Sequence, residues 1–145
     1  MNINQHDSGT VCVAVPEGWS VFAGTDSEGK ETQKKLFVYK NAKDQFELFS
    51  RAGITVCYFP KADHYFSPKF FYDNVEDMEP FLLGHYLWQG YTCTSLGYPY
   101  VMLEGKKDGE VMQVMILLQN GDEKISLSDA DVQTIIESIR PSSSE

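Results

Sequence analysis

Three histidines and three cysteines have the widest chemical reach in this chain: His6, His64 and His85, and Cys12, Cys57 and Cys93. Their spacing argues against a metal centre. Zinc sites draw on H-E-x-x-H, on Cys-x-x-Cys or on histidines one helical turn apart, and none of these occurs. Asp63-His64 and His85 fall at loop positions and could meet in space, but the plainer reading of each is a surface histidine. Cys93 and His85 make up the one thiol–imidazole pair close in sequence, the pairing that covalent catalysis uses. No neighbouring residue marks Cys93 as electropositive, and no G-x-S-x-G elbow is present. Each cysteine sits in a strand-like run, where a thiol acts as a small apolar group.

The carboxylates of residues 73–79 do not supply the loop of oxygen ligands that calcium needs. Lys30, Lys34, Lys35, Lys40 and Lys43 cluster, but Glu28, Glu31 and Asp44 interleave with them, as on a solvated hairpin rim. No glycine-rich phosphate loop accompanies them. No catalytic, cofactor-binding or metal-binding residue is assigned, no cofactor is expected, and catalysis is the less favoured role.

Aromatic residues are another matter. Tyr58, Phe59, Tyr65, Phe66, Phe70, Phe71 and Tyr72 crowd into residues 58–72, next to the acids of SPKFFYDNVEDMEP, 67–80. Half-exposed rings with a rim of carboxylates suit a protein partner. The expected contact surface lies within 64–79 and comprises Tyr65, Phe66, Phe70, Tyr72, Asp73, Glu76 and Asp77. The partner is a different protein or a second copy of the chain. In the opposing reading the loop 60–67 folds over these rings as a satellite core. The alternative function is a small-ligand binder or enzyme with a cleft near His64, His85 and the tyrosines.

Composition narrows the partner. A net charge of −9 over 145 residues repels phosphate backbones and anionic membranes, so neither nucleic acid nor a membrane is expected, and a cationic protein is favoured. No run of residues approaches the roughly 20 apolar positions that span a bilayer. MNINQHDSGT has neither a basic start nor an apolar core, so a cytoplasmic chain is expected, with a chain whose leader has been removed as the alternative. Aromatics at 13% make disorder improbable for most of the length, and one domain is expected, with 1–9 and 141–145 loose.

The elements follow from periodicity. TVCVAVP, 10–16, alternates as a strand, and further strands are read at 35–40, 53–60, 80–83, 86–96, 98–105, 110–120 and 124–127. GITVCYFP and EVMQVMILLQN are apolar on both faces, so they should be covered on both sides. Asp108-Gly109 marks a hairpin, and Phe46 and Phe49 a short helical turn before Gly53. In 67–80, Ser67 reads as an N-cap and Pro68 as the first helical residue, with Phe71, Val75 and Met78 forming a buried stripe up to Pro80. A closing helix begins at Ser128, with Asp131 completing a capping box and Val132, Ile135, Ile136 and Ile139 facing inward. The expected architecture is α+β: an antiparallel sheet with helices packed on both faces, an α/β/α sandwich.

VAVPEGW near the start, the strand GITVCYFP, WQGY at 88–91 and the closing SDADVQTIIESI together resemble PsbP-like domains, the superfamily that includes the Ran-binding Mog proteins. The resemblance implies the same α/β/α sandwich and a non-catalytic binding or accessory role. It carries no site residues over to this chain.

Overall fold

A computed structural model describes residues 3–61 and 65–142. In chain order the strands are β1 (Ile3–Asp7), β2 (Val11–Pro16), β3 (Trp19–Thr25), β4 (Glu31–Lys40), β5 (Gly53–Phe59), β6 (Asp73–Asp77), β7 (Phe81–Leu83), β8 (Tyr86–Ser95), β9 (Tyr98–Lys107), β10 (Glu110–Leu117), β11 (Gln119–Asn120) and β12 (Glu123–Lys124). The helix α1 (Ala130–Ser138) and a last short strand, β13 (Arg140–Pro141), complete the order. Eight strands form one antiparallel sheet in the order β3-β4-β5-β10-β9-β8-β6, with β7 also paired to β8. The central strand is β10, as its two-faced apolar run predicts. Asp108 and Gly109 both take positive φ, 55° and 83°, the mirror-image turn that matches the twist of the β9–β10 hairpin.

The two faces of this sheet differ. One face carries Leu36, Val38, Ile54, Val56, Trp88, Leu103, Met112, Val114 and Ile116, all buried. Over it lie β2, through Val11, Val13 and Val15, and α1, through Val132, Ile135 and Ile136, all in one apolar cluster. The other face carries Tyr91, Cys93 and Met102, with Tyr72, Val75, Tyr100 and Met115 packed around them. Among the described residues no helix of more than one short turn covers this second face.

The α/β/α sandwich is therefore not what the chain forms. Among the described residues the fold is mainly antiparallel β with a single α-helix, on one face only. The decisive difference is in 67–80. Only Pro68–Phe71 winds, as a 3-10 turn, and Asp73–Asp77 runs extended as β6 along β8. Asn74 adopts φ 54°, breaks the register between Asp73 and Glu76, and donates from Nδ2 to Thr94 Oγ1 at 3.0 Å. The stripe Phe71, Val75, Met78 does not exist: Phe71 is exposed, while Val75 packs into the second-face cluster and Met78 against the first.

Smaller differences share one cause, pairing across the chain. Residues 3–7, expected to be loose, form β1 beside β2, and Arg140–Pro141 pairs on the other side of β2. Residues 124–127 do not finish the sheet, since Glu123–Lys124 joins only the ribbon with β11. Asp131 makes no capping box. Its Oδ2 accepts the indole N–H of Trp19 at 3.0 Å, and Asp129 stands as the N-cap.

The two rims of the sheet also contrast. β6, DNVED, is short, irregular and rich in carboxylates, whereas β3, WSVFAGT, has seven residues and no charge.

Candidate functional site

The expected contact residues lie on a segment, 65–72, that crosses the second face. Its polarity is inverted. Tyr65, Ser67 and Lys69 turn toward the sheet, while Phe66, Phe70 and Phe71 are 84%, 93% and 87% exposed. A 3-10 turn of four residues with no buried member cannot bury both sets. Polar contacts along the segment, with Tyr72 packed into the second-face cluster at its end, hold it in place.

The first contact is made by Tyr65. Its hydroxyl donates to Glu104 Oε2 on β9 at 2.6 Å and accepts from Gln113 Nε2 on β10 at 3.3 Å. Its ring meets Phe59 edge-on, 4.8 Å between centroids. Burial, and then the Glu104 carboxylate, push the Tyr65 phenol well above its ordinary range, so it stays protonated and remains a donor. Gln113 is buried, and Glu104 is nearly so, with Lys106 Nζ 3.9 Å from its other oxygen. Without Tyr65, this carboxylate would lose its closest donor.

Lys69 makes the second contact. Its ammonium pairs with Asp77 Oδ1 on β6 and lies 5.4 Å from the centre of the Tyr91 ring on β8. Asp77 and Tyr91 are opposite one another in the β6–β8 register, so carboxylate and ring are set side by side by strand pairing. Burial raises the Tyr91 phenol to about 12, with a hydrogen bond to Ser67 working the other way. Beneath the segment lies a pocket of about 290 Å³, bounded by Lys69, Asp77, Gln89, Gly90, Tyr91 and Glu104 among others.

The remaining expected residues are placed as follows. Tyr72 is half-buried in the second-face cluster, and its burial raises its phenol. Asp73 and Glu76 are exposed on β6. Of the expected contact residues, Phe66, Phe70, Asp73, Glu76 and Asp77 thus present themselves to solvent, Asp77 while pairing with Lys69, and Tyr65 and Tyr72 serve as attachments. Phe71 is the residue that sequence reasoning misplaced, because the helical period assigned it inward. The cue against that assignment was Asn74, a turn former inside the supposed helix.

The alternative cleft is not assembled from the residues that suggested it. His64 lies outside the described residues. His85 is exposed in the β7–β8 turn with its ring against Tyr86, and burial, then Lys107 and Arg140, lower its pKa. Cys93 stands seven residues beyond Tyr86, the first residue of β8, so roughly 23 Å of extended strand separates it from the turn that holds His85. Burial pushes the thiol of Cys93 up, and that of Cys57 to about 11, which keeps both protonated and unreactive. Among the described residues no three histidine, cysteine or acidic side chains come together as metal ligands would. The lysine rim is engaged locally: Lys40 pairs with Asp131 at 3.7 Å, and Lys35 lies over the Phe37 ring at 5.5 Å. No described helix is long and apolar enough to cross a membrane.

Comparison with protein-family models, curated proteins and solved structures finds no match to this chain.

Proposed function

We propose, from the geometry alone, that the chain is a non-catalytic docking domain that binds a protein partner through the outward phenylalanines of 65–72. One observation carries this reading. Three phenylalanine rings within six residues face solvent, although the same segment turns its tyrosine, serine and lysine inward. Burying one such ring is worth about 1.5–3 kcal/mol, a gain the isolated chain forgoes at three neighbouring positions. A partner that covers them recovers it. Asp73 and Glu76, exposed on the adjoining β6, form an acidic rim that favours a basic partner surface, in keeping with the net charge of −9.

The test is a triple substitution, Phe66→Ser, Phe70→Ser and Phe71→Ser, compared with the parent chain by photo-crosslinking from the exposed position 73 and by solution mass. The expected result is a crosslink to a second protein that disappears in a variant whose thermal unfolding is unchanged. A parent mass of twice 16.4 kDa that falls to the monomer value in the variant would make the partner a second copy of the chain. Retention of every crosslinked partner by the folded variant overturns the reading.

A further inference from the structure

The pocket under the 65–72 segment already holds a cation, and that cation belongs to the chain. The Lys69 ammonium rests between the Asp77 carboxylate and the face of the Tyr91 ring, with the ring centre 5.4 Å away. Glu104 borders the same pocket from β9, and Gln89 and the Gly90 backbone complete its wall. A π face, a carboxylate beside it and a second carboxylate across the pocket are what recognises an alkylammonium ion. Lys106 offsets part of the Glu104 charge from 3.9 Å, but it does not line the pocket.

The occupant is held loosely. The side chains of Lys69 and Asp77 are 34% and 72% exposed, and an ion pair so wet is worth little net free energy. The turn that carries Lys69 has no buried residue, so moving it breaks no core packing. The receptor half is rigid by contrast. Tyr91 is buried in the sheet, and Gly90 lies so close to β9 that a Cβ there would stand 2.6 Å from the Met102 carbonyl oxygen.

We propose that this pocket is a binding site for a protonated primary amine, namely a lysine side chain of the docking partner, and that Lys69 occupies it in cis until the partner arrives. The lysine's carrier rests on the docking reading above. The ammonium chemistry does not. The four-carbon stem and point charge of Lys69 define what fits, and the two carboxylates exclude an anion. A partner that seats on Phe66, Phe70 and Phe71 brings its own lysine to a site a few residues away, at high effective concentration.

The probe is n-butylammonium chloride, titrated into the full chain and followed through the Tyr91 ring resonances. Lys69→Ala removes the resident, and the expected result is saturable binding about two- to sixfold tighter than in the parent chain. Sodium butyrate should not bind. Lys69→Met, which keeps a stem in the pocket, should bind the amine no better than the parent. Adding Asp77→Asn to Lys69→Ala should weaken the amine about two- to fivefold. Hydrogen exchange over 65–72 reports whether Lys69→Ala loosens the segment, and bound amine should then restore the lost protection. No gain in amine affinity on removing Lys69, no loss on neutralising Asp77, or protection lost and not restored would each overturn the proposal. Such a failure leaves the phenylalanine docking reading intact, because that reading is tested by the serine variants and not by the amine.

Discussion

The two faces of the eight-stranded sheet are closed by different means. On one, α1 and β2 lay valine and isoleucine onto valine, leucine, methionine and tryptophan, and the contact is dry. On the other, 65–72 is fastened by Tyr65 to Glu104, by Ser67 to Tyr91 and by Lys69 to Asp77. Apolar packing over a large area resists local opening. A few polar contacts at the margin of a sheet open with little free energy. The global stability of the molecule should therefore reside on the first face, and its adaptability on the second.

Four perturbations break or sharpen this contrast. The largest effect is expected from alkali. Burial raises the phenol pKa of Tyr39, Tyr58, Tyr65, Tyr72, Tyr86, Tyr91 and Tyr100, to about 12 for Tyr58 and Tyr91. The folded state thus holds protons that the unfolded chain releases near pH 10. Stability from this source is complete below about pH 10 and is lost as pH rises through the folded values. Tyrosine absorbance and circular dichroism should change together above pH 10, with the second face, where most of these rings lie, losing protection first.

Next comes Ile136→Ala on the dry face, where the side chain is fully buried. A cost of about 2–5 kcal/mol is expected in denaturant unfolding, with every probe reporting the same transition. Tyr65→Phe should cost less, about 1–3 kcal/mol, by leaving Glu104 without its phenol donor. Its signature is local: hydrogen exchange should quicken in 65–72 while Ile135 and Ile136 stay protected. If Tyr65→Phe instead lowers the whole unfolding curve as Ile136→Ala does, the two faces form one cooperative unit and the contrast fails. The smallest effect is expected from Phe70→Ser, within about 0.5 kcal/mol of the parent, because a ring 93% exposed contributes almost nothing to folding.

Strands with their own alternation are legible in the sequence. Val11, Val13 and Val15 and the Asp-Gly hairpin stand where local signals place them, and the two-faced run expected over 110–120 forms a strand as far as Leu117. The closing helix keeps its buried stripe, since Val132, Ile135, Ile136 and Ile139 are all inaccessible. Periodicity fails at 67–80. Ser67-Pro68 is a sound helix start, and it does begin one turn. Beyond Tyr72, however, β8 offers a free backbone edge, and pairing with it outweighs the modest helical preference of five residues. Local signals do not record a partner strand that arrives later in the chain. The same limit hides β1 and β13, which exist because β2 has two open sides.

The candidate site is partly legible. Crowded aromatics beside acids single out a segment in which Phe66 and Phe70 are exposed. The inward roles of Tyr65 and Lys69 are not visible in the sequence, because Glu104 and Tyr91 are brought to them by strand order and not by sequence proximity.

The unequal rims of the sheet have a last consequence. A second molecule that adds its backbone along the uncharged β3 leaves, at each outer end of the joined sheet, the bent and carboxylate-laden β6 and the three-residue β7. Like charges and a broken register make that end a poor template. Accretion through free main chain is thus disfavoured along β6, while β3 is the rim that invites it.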